Sequence, residues 1–374
     1  MIEKKKKILF VASLDTHLTS FHLPYINWFK DQNYEVHLAY RGSSIIPNVD
    51  KIWKIPFERS PFSYSNYRVY KELRDILNNN YYELIHCHTP MASFVTRLAA
   101  IETRKKGTKV LYTVHGFHFF KDGPVKNWLL YFPLEKFMSR YTDAIITINR
   151  EDFEILFKKK FYSKGKYQIN GIGLDPKRLT IENGNFSEIR TEKGYSENDF
   201  IILYIAEFIN RKNHRFVIES IPDLIEKHSN IKFLFAGGGI LKKEMEGLVE
   251  QMNLTKNVDF LGFTSEISKY IGIADIGIST SKQEGLGLGV AELMYNSKPV
   301  IVTQDRGHRE MVIHKENGFI FEQNDAQSFI KYIEILYDNK DMRHKFGVNA
   351  KKTMEKFMID KSLKKMIEIY NQYI

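Results

Sequence analysis

Cysteine is almost absent. The 374 residues contain one, Cys87, so no intramolecular disulfide can form and nothing in the chain asks for an oxidising compartment. Proline is scarce, at 10 residues, and no low-complexity stretch or internal repeat stands out, which argues against a disordered linker or a solenoid. No window approaches the roughly 18 apolar residues that a membrane-spanning helix needs. The lysines of residues 4–7 ahead of the apolar residues 8–12 have the outline of a secretion signal, but that stretch is short, Asp15 closes it and no small-residue cleavage site follows. A cytoplasmic location is therefore expected. Acidic residues are thin in the first half: residues 1–174 hold 27 Lys+Arg against 16 Asp+Glu, a net of +11, whereas the remainder is near neutral at −1. A basic half without a spanning helix suits an anionic surface, a membrane leaflet or nucleic acid. It equally suits a solvated lysine-rich face.

What the chain does have is alternation. Residues 8–12, 35–39, 84–88, 109–113 and 144–148 are short apolar runs that read as buried strands. Residues 21–31, 67–78, 92–103 and 127–141 between them carry helical spacing. The order implies a parallel sheet covered on both faces. The pattern restarts, with strands expected over 200–205, 231–236, 258–261, 276–280 and 299–302 and helices over 214–227, 241–252 and 288–295. The fold class is thus α/β, with two Rossmann-like domains expected over residues 1–172 and 173–352. Their junction is expected near Asn170-Gly-Ile-Gly-Leu-Asp-Pro176, where glycines and a proline interrupt the pattern. Residues 353–374 form an amphipathic helix, expected to return to the first domain although periodicity cannot say so. Ligands of open α/β sheets sit beyond the carboxyl ends of the strands, so a site between two facing sheets is the expectation.

The most specific stretch is Ser281-Lys-Gln-Glu-Gly-Leu-Gly-Leu-Gly-Val-Ala-Glu292. A strand ends, a glycine-rich loop follows and a helix begins near Leu288. Loop amides and the positive end of the helix dipole would receive a diphosphate there without a metal. Glu284 and Glu292 make little sense as phosphate ligands, since like charges repel. They suit hydrogen bonds from hydroxyls of a transferred sugar and of a ribose.

These residues resemble the E-x7-E element of the retaining glycosyltransferases of the GT-B class called family four. Lys298-Pro-Val-Ile-Val-Thr303, Gly307-His-Arg-Glu-Met311 and Asn317-Gly-Phe-Ile320 fit the same pattern. The likeness covers essentially the whole chain and is greatest to bacterial exopolysaccharide and capsule transferases. It implies that Glu284 orients the transferred sugar, that Glu292 holds the ribose and that Gly285, Leu286, Gly287 and Leu288 face the diphosphate. In Tyr204-Ile-Ala-Glu-Phe-Ile-Asn-Arg-Lys-Asn-His214, Lys212 aligns with the lysine that meets the donor diphosphate, with Arg211 beside it. Where many members carry an arginine five positions earlier, this chain has Glu207.

Gly238, in Phe233-Leu-Phe-Ala-Gly-Gly-Gly239, and Phe263, in Leu261-Gly-Phe-Thr-Ser-Glu266, fall where similar proteins hold the nucleotide. A plain tight turn also explains the three glycines. His115, directly after a strand, aligns with a histidine that approaches the transferred sugar. His118 is a further candidate, and His86 and His88 are assigned to the core. The loop after the first strand, glycine-bearing in the family, has no glycine here, which leaves Asp15, Thr16 and His17 to act on the acceptor side by their side chains.

The resemblance implies a UDP-sugar donor, a hexose or N-acetylhexosamine, transferred with retention to a saccharide acceptor. A lipid-linked acceptor at the cytoplasmic face of an anionic membrane is expected from the basic first half and from the aromatic and basic run of residues 117–132. No cofactor is expected, and no metal, since the chain has neither Asp-x-Asp nor Cys/His ligand spacing. Nucleic acid is not an expected partner, because no stacking module is recognisable. A sugar-nucleotide epimerase of the same architecture and a non-catalytic binding protein stay open.

Overall fold

The computed structural model describes residues 5–58, 63–179 and 185–374; Lys4 of the basic run lies outside them. The chain divides into two units, one formed by Met1–Gly173 with Ile359–Ile374 and the other by Leu174–Met358.

In the first unit the described residues form a seven-stranded parallel sheet, in the order β3-β2-β1-β4-β5-β6-β7. Its strands are β1 (Lys7–Leu14), β2 (Glu35–Arg41), β3 (Lys51–Lys54), β4 (Leu84–His88), β5 (Lys109–Val114), β6 (Ala144–Thr147) and β7 (Gly165–Gln168). The apolar run at residues 8–12 is the centre of β1 and is buried on both faces of the sheet, which is why it reads as continuously hydrophobic rather than alternating. The strand order reverses between β1 and β4, the position at which the loops after neighbouring strands of a parallel sheet diverge and where ligands of such sheets bind.

The second unit has a six-stranded parallel sheet among its described residues, in the order β10-β9-β8-β11-β12-β13. It comprises β8 (Phe200–Ile205), β9 (Ile231–Ala236), β10 (Val258–Gly262), β11 (Ile276–Ser279), β12 (Val300–Thr303) and β13 (Gly318–Phe321). Here the reversal lies between β8 and β11. Each sheet carries its own apolar core.

The amphipathic C-terminal stretch is not one helix. The helix Lys340–Met354 belongs to the second unit, a 3-10 turn covers Glu355–Phe357, and Met358 is extended (ψ 150°) before the helix Ile359–Tyr370 begins. That last helix packs in the first unit through Tyr370, whose ring stacks on Trp28 at 5.8 Å and whose hydroxyl lies 2.8 Å from His86 Nδ1.

Candidate active site

The residues singled out in the second unit collect at its sheet reversal in two neighbouring groups. The first joins the segments that follow β8, β11 and β12. After β8 the chain turns through a short 3-10 segment, Asn210–Lys212, and Asn213 adopts a left-handed φ of 57°. This turn is tied to β11: the Lys212 carbonyl accepts from Tyr204 Oη at 2.5 Å and from Thr280 Oγ1 at 3.1 Å, and Lys282 N donates to the Arg211 carbonyl at 2.7 Å. Lys212 and Arg211 are thereby aimed at Glu284. Lys212 Nζ pairs with Oε1 and Arg211 Nη1 lies 3.2 Å from Oε2. Sequence reasoning placed these cations against a diphosphate; in this structure the two hold Glu284.

Burial alone would raise the Glu284 carboxyl, but the charges of Lys212 and then Arg211 outweigh it and hold it at about 2. Glu284 is therefore a buried, ionised acceptor. Its backbone is fixed as well, with Glu284 N donating to Asp305 at 2.9 Å and Arg306 Nε donating to its carbonyl at 3.2 Å. The loop beyond it places Gly287 at φ 95°, a conformation suited to glycine, and the helix Leu288–Tyr295 starts there. The side chain of Leu286 is buried, so it reaches a ligand only through its backbone.

Two residues of this group were not given a role from sequence. Asp305 accepts from Glu284 N and Gly307 N, and the fully buried His308 donates from Nδ1 to the Thr303 carbonyl while its Nε2 has no partner. Both lie in or beside the segment Gly307-His-Arg-Glu-Met311, whose fit to the family pattern was the signal available.

The second group surrounds a cavity of about 580 Å³ lined by Ala206, Glu207, Gly237, Gly238, Phe263 and Glu292 among others. Gly238, Phe263 and Glu292 were expected together and are together. Phe263 lies on the cavity rim and is 96% exposed. Glu207, in place of the family's arginine, puts a second carboxylate on the cavity wall. Glu284 is not part of that wall. Burial pushes the Glu292 carboxyl up to about 7.

A raised carboxyl favours the protonated folded state, so the stability it contributes is fully present below about pH 4.5 and lost as pH rises through about 7. The loss reaches at most about 3 kcal/mol, less where water reaches the group. Urea midpoints compared between pH 4.5 and 8 should fall more steeply for the parent than for Glu292→Gln. Equal slopes would show that Glu292 titrates as an ordinary surface carboxylate.

In the first unit the candidates separate. Asp15 is not free to act on an acceptor: it is buried, takes the backbone N–H groups of Ser44 at 2.9 Å and Thr16 at 2.8 Å, and is held below the usual carboxylate range, first by its bonds with Ser44. Gly42 must be glycine beside it, since a Cβ would sit 2.1 Å from the Asp15 carboxyl carbon. Thr16 is exposed, and His118 is exposed and stacked on Tyr131 at 4.6 Å. The core assignment holds for His86, which bridges Tyr370 and Thr113 at 2.8 Å each.

His88 joins a cluster. Its ring and those of His17, His22 and His115 gather at the carboxyl ends of β1, β4 and β5. His115 Nε2 lies 3.2 Å from His17 Nε2 and 3.5 Å from His88 Nδ1, and His22 stacks on His88 at 3.7 Å. His115 is thus one of four imidazoles rather than a solitary strand-end histidine. Burial keeps them neutral: His17 is pushed down to about 4, and the other three lie well below the usual histidine range. Both nitrogens of His22 and Nε2 of His88 are buried without a partner, each at a cost of about 1–3 kcal/mol.

Two Rossmann-like units with parallel sheets, the second carrying a glycine-lined helix start beside a buried carboxylate, define a GT-B architecture. The Anabaena protein HepE, solved in complex with UDP and glucose, superposes with a TM-score of 0.79 at 18% identity, over 98% of this chain and 100% of its own. Residues 7–149 match the family described as "Glycosyl transferase 4-like" and residues 185–353 the family described as "Glycosyl transferases group 1". EpsD of Bacillus subtilis (strain 168), named as a glycosyltransferase, is 41% identical over 371 residues, 99% of this chain and 97% of its own. An Escherichia coli enzyme named UDP-Gal:alpha-D-GlcNAc-diphosphoundecaprenol alpha-1,3-galactosyltransferase is 27% identical over 304 residues, 80% of this chain and 77% of its own. The chain belongs to the group 1 glycosyltransferases and is a glycosyltransferase.

Proposed function

We propose that this chain transfers a hexose or N-acetylhexosamine from a UDP-sugar, with retention of configuration, to a lipid-linked saccharide in the synthesis of a bacterial surface polysaccharide. The observation that carries the reading is the buried, ionised Glu284 held by Lys212 and Arg211 at a glycine-lined helix start. Glu284 accepts hydrogen bonds from the transferred sugar. The uridine and ribose occupy the cavity between Gly238, Phe263 and Glu292, with Glu292 on the ribose hydroxyls. The diphosphate meets Arg211, Lys212 and the amides of Gly285, Leu286, Gly287 and Leu288, so the donor is held without a divalent cation. The acceptor hydroxyl attacks on the face that the diphosphate leaves, and a departing phosphate oxygen takes its proton.

The relatives support this through the donors and acceptors in their names: HepE was solved with UDP and glucose, and the E. coli enzyme acts from UDP-Gal on a diphosphoundecaprenol-linked sugar. Attachment to the cytoplasmic face of an anionic membrane is part of the proposal. Among the described residues no helix is long and apolar enough to cross a membrane. The helix Val125–Met138 instead leaves Val125 and Leu129 exposed at 72% and 74%, and it carries Lys126 and Lys136, with Arg140 just beyond its end. Phe117 and Phe119, counted toward that surface from sequence, lie in the core instead.

Labelled UDP-hexoses and UDP-N-acetylhexosamines incubated with the chain and anionic vesicles carrying lipid-linked saccharides test the proposal. Expected is UDP release with label on the vesicles, and far less with free saccharide. Isomerised donor without transfer would make the chain an epimerase, and no turnover with any donor would sink the reading.

A further inference from the structure

The cavity proposed for the nucleotide lies at the carboxyl ends of β8, β9 and β10. A second cavity, of about 570 Å³, lies at the opposite ends of the same sheet. Asp199, Asn230 and Asp275 on its wall stand immediately before β8, β9 and β11, and Lys298 stands two residues before β12. Its volume is that of a small-molecule site, and the donor chemistry leaves it unused.

Three cations on this wall keep donors unspent. Lys298 is half-buried, and its Nζ donates to the Gly272 carbonyl at 2.8 Å, with no ion pair to a carboxylate among the described residues. Burial pushes it down to about 8, the charge of Asp275 opposing that shift and the charge of Arg190 adding to it. It is a cation short of a counter-charge. Arg343, also half-buried, donates from Nη1 to the carbonyls of Leu336 and Tyr337 and spends no bond from Nη2 on the described residues. Lys340 is exposed at the start of the helix Lys340–Met354.

The acids of the same wall are mostly committed. Asp275 accepts from Arg190 Nη2 at 2.9 Å and from Ile201 N at 2.8 Å, and Asp199 accepts from Ser196 N at 2.8 Å. Arg190 is spent in turn on Asp275 and on the carbonyls of Asp199 and Ile273. That leaves Glu197 against three cations. A guanidinium beside two ammonium groups is a donor set suited to phosphate oxygens. Inorganic phosphate alone would leave most of the cavity empty, and the rings of Phe186 and Tyr337 on its wall offer a surface for a larger body.

We propose that this cavity is a second ligand site, in which Lys298, Lys340 and Arg343 bind the phosphate of a phosphorylated small molecule. It shares no residue with the nucleotide cavity and does not rest on the role given to Glu284.

Inorganic diphosphate and glucose 1-phosphate, titrated by calorimetry into the full chain with UDP in excess, test the site. Expected is saturable binding of at least one of them, at one site per chain. Tighter binding of glucose 1-phosphate would assign the site to a phosphosugar, tighter binding of diphosphate to free phosphates. Lys298→Met and Lys340→Met should each weaken the binding by about 10-fold or more, the scale of a charge-assisted hydrogen bond. Lys345→Met, on the same helix as Lys340 but outside the cavity, should not. Lys340 and Lys345 are exposed, so that pair decides even if Lys298→Met fails to fold, and it does so whether or not UDP occupies the other cavity. No binding of either probe, equal binding of succinate, or unchanged affinity in Lys340→Met would overturn the proposal.

Discussion

Glu284→Gln will lower kcat for sugar transfer by about 10²-fold or more, the scale of a misplaced reacting group, with UDP binding retained. The expected separation follows from position. Glu284 lies outside the cavity that holds Gly238 and Glu292, so the nucleotide keeps its contacts, while the transferred sugar loses its ionised acceptor. Glutamine keeps the shape and one acceptor oxygen, and the fold survives. Glu284→Ala differs in a second measurement. It leaves Lys212 without a counter-charge, and because the Lys212 side chain is only 15% exposed against 46% for Arg211, Lys212 suffers most. A fully buried pair broken in this way costs about 3–5 kcal/mol, so a partly solvated one should cost about 2 kcal/mol. Both variants remove the counter-charge, but glutamine keeps one hydrogen-bond acceptor for Lys212. The alanine variant should therefore lose turnover and more urea resistance, the glutamine variant turnover with the smaller loss of urea resistance. Transfer within about twofold of the parent for both would remove Glu284 from the chemistry.

Gly237→Ala will be the most damaging single methyl in the second unit. Its φ is 152°, and a Cβ there would stand 2.0 Å from the Ala206 carbonyl oxygen, a backbone atom that cannot swing aside. Strain and overpacking each cost about 1–3 kcal/mol, so the sum is roughly 3 kcal/mol. In a unit of this size that lowers the melting temperature by on the order of 10 °C. Because Ala206 and Gly237 both line the cavity proposed for the nucleotide, UDP affinity should fall as well. The neighbouring Gly238→Ala meets nothing within 4 Å and should leave the melting temperature unchanged. A scan of the two variants in parallel checks both. Equal stability would mean that the β9 turn yields without strain.

The three glycines also show where reading a sequence stops. As letters they are equivalent, and a tight turn explained them as well as a ligand did. Which one is obligatory depends on the carbonyl opposite, and that carbonyl comes from the turn after β8, 31 positions earlier. The strands show the same division. Those flanked on both sides were legible as apolar runs, and β4, β8 and β9 match the expected ranges residue for residue. Of the edge strands, β10 was expected over 258–261, whereas β3, β7 and β13 were missed. Lys51–Lys54 and Gly165–Gln168 are short and partly solvated, and so carry no apolar run. Gly318–Phe321 is apolar but only four residues long. The C-terminal stretch was one amphipathic pattern in sequence and is two helices in two units, because helical periodicity records a buried face and not what buries it.

What the sequence alone determined was whatever is contiguous: the α/β alternation, the glycine-lined start of the helix Leu288–Tyr295, and the spacing of Glu284 and Glu292 around it. Periodicity and turn chemistry act over a few residues, and those features need no more. Tertiary structure alone decided the pairings: Lys212 and Arg211 on Glu284 across 72 and 73 positions, Asp15 spent on the backbone of Ser44, and four histidines from three strand ends meeting at one point. A parallel sheet places successive strand ends side by side whatever their distance along the chain, so such contacts leave no spacing in the sequence from which they could be read.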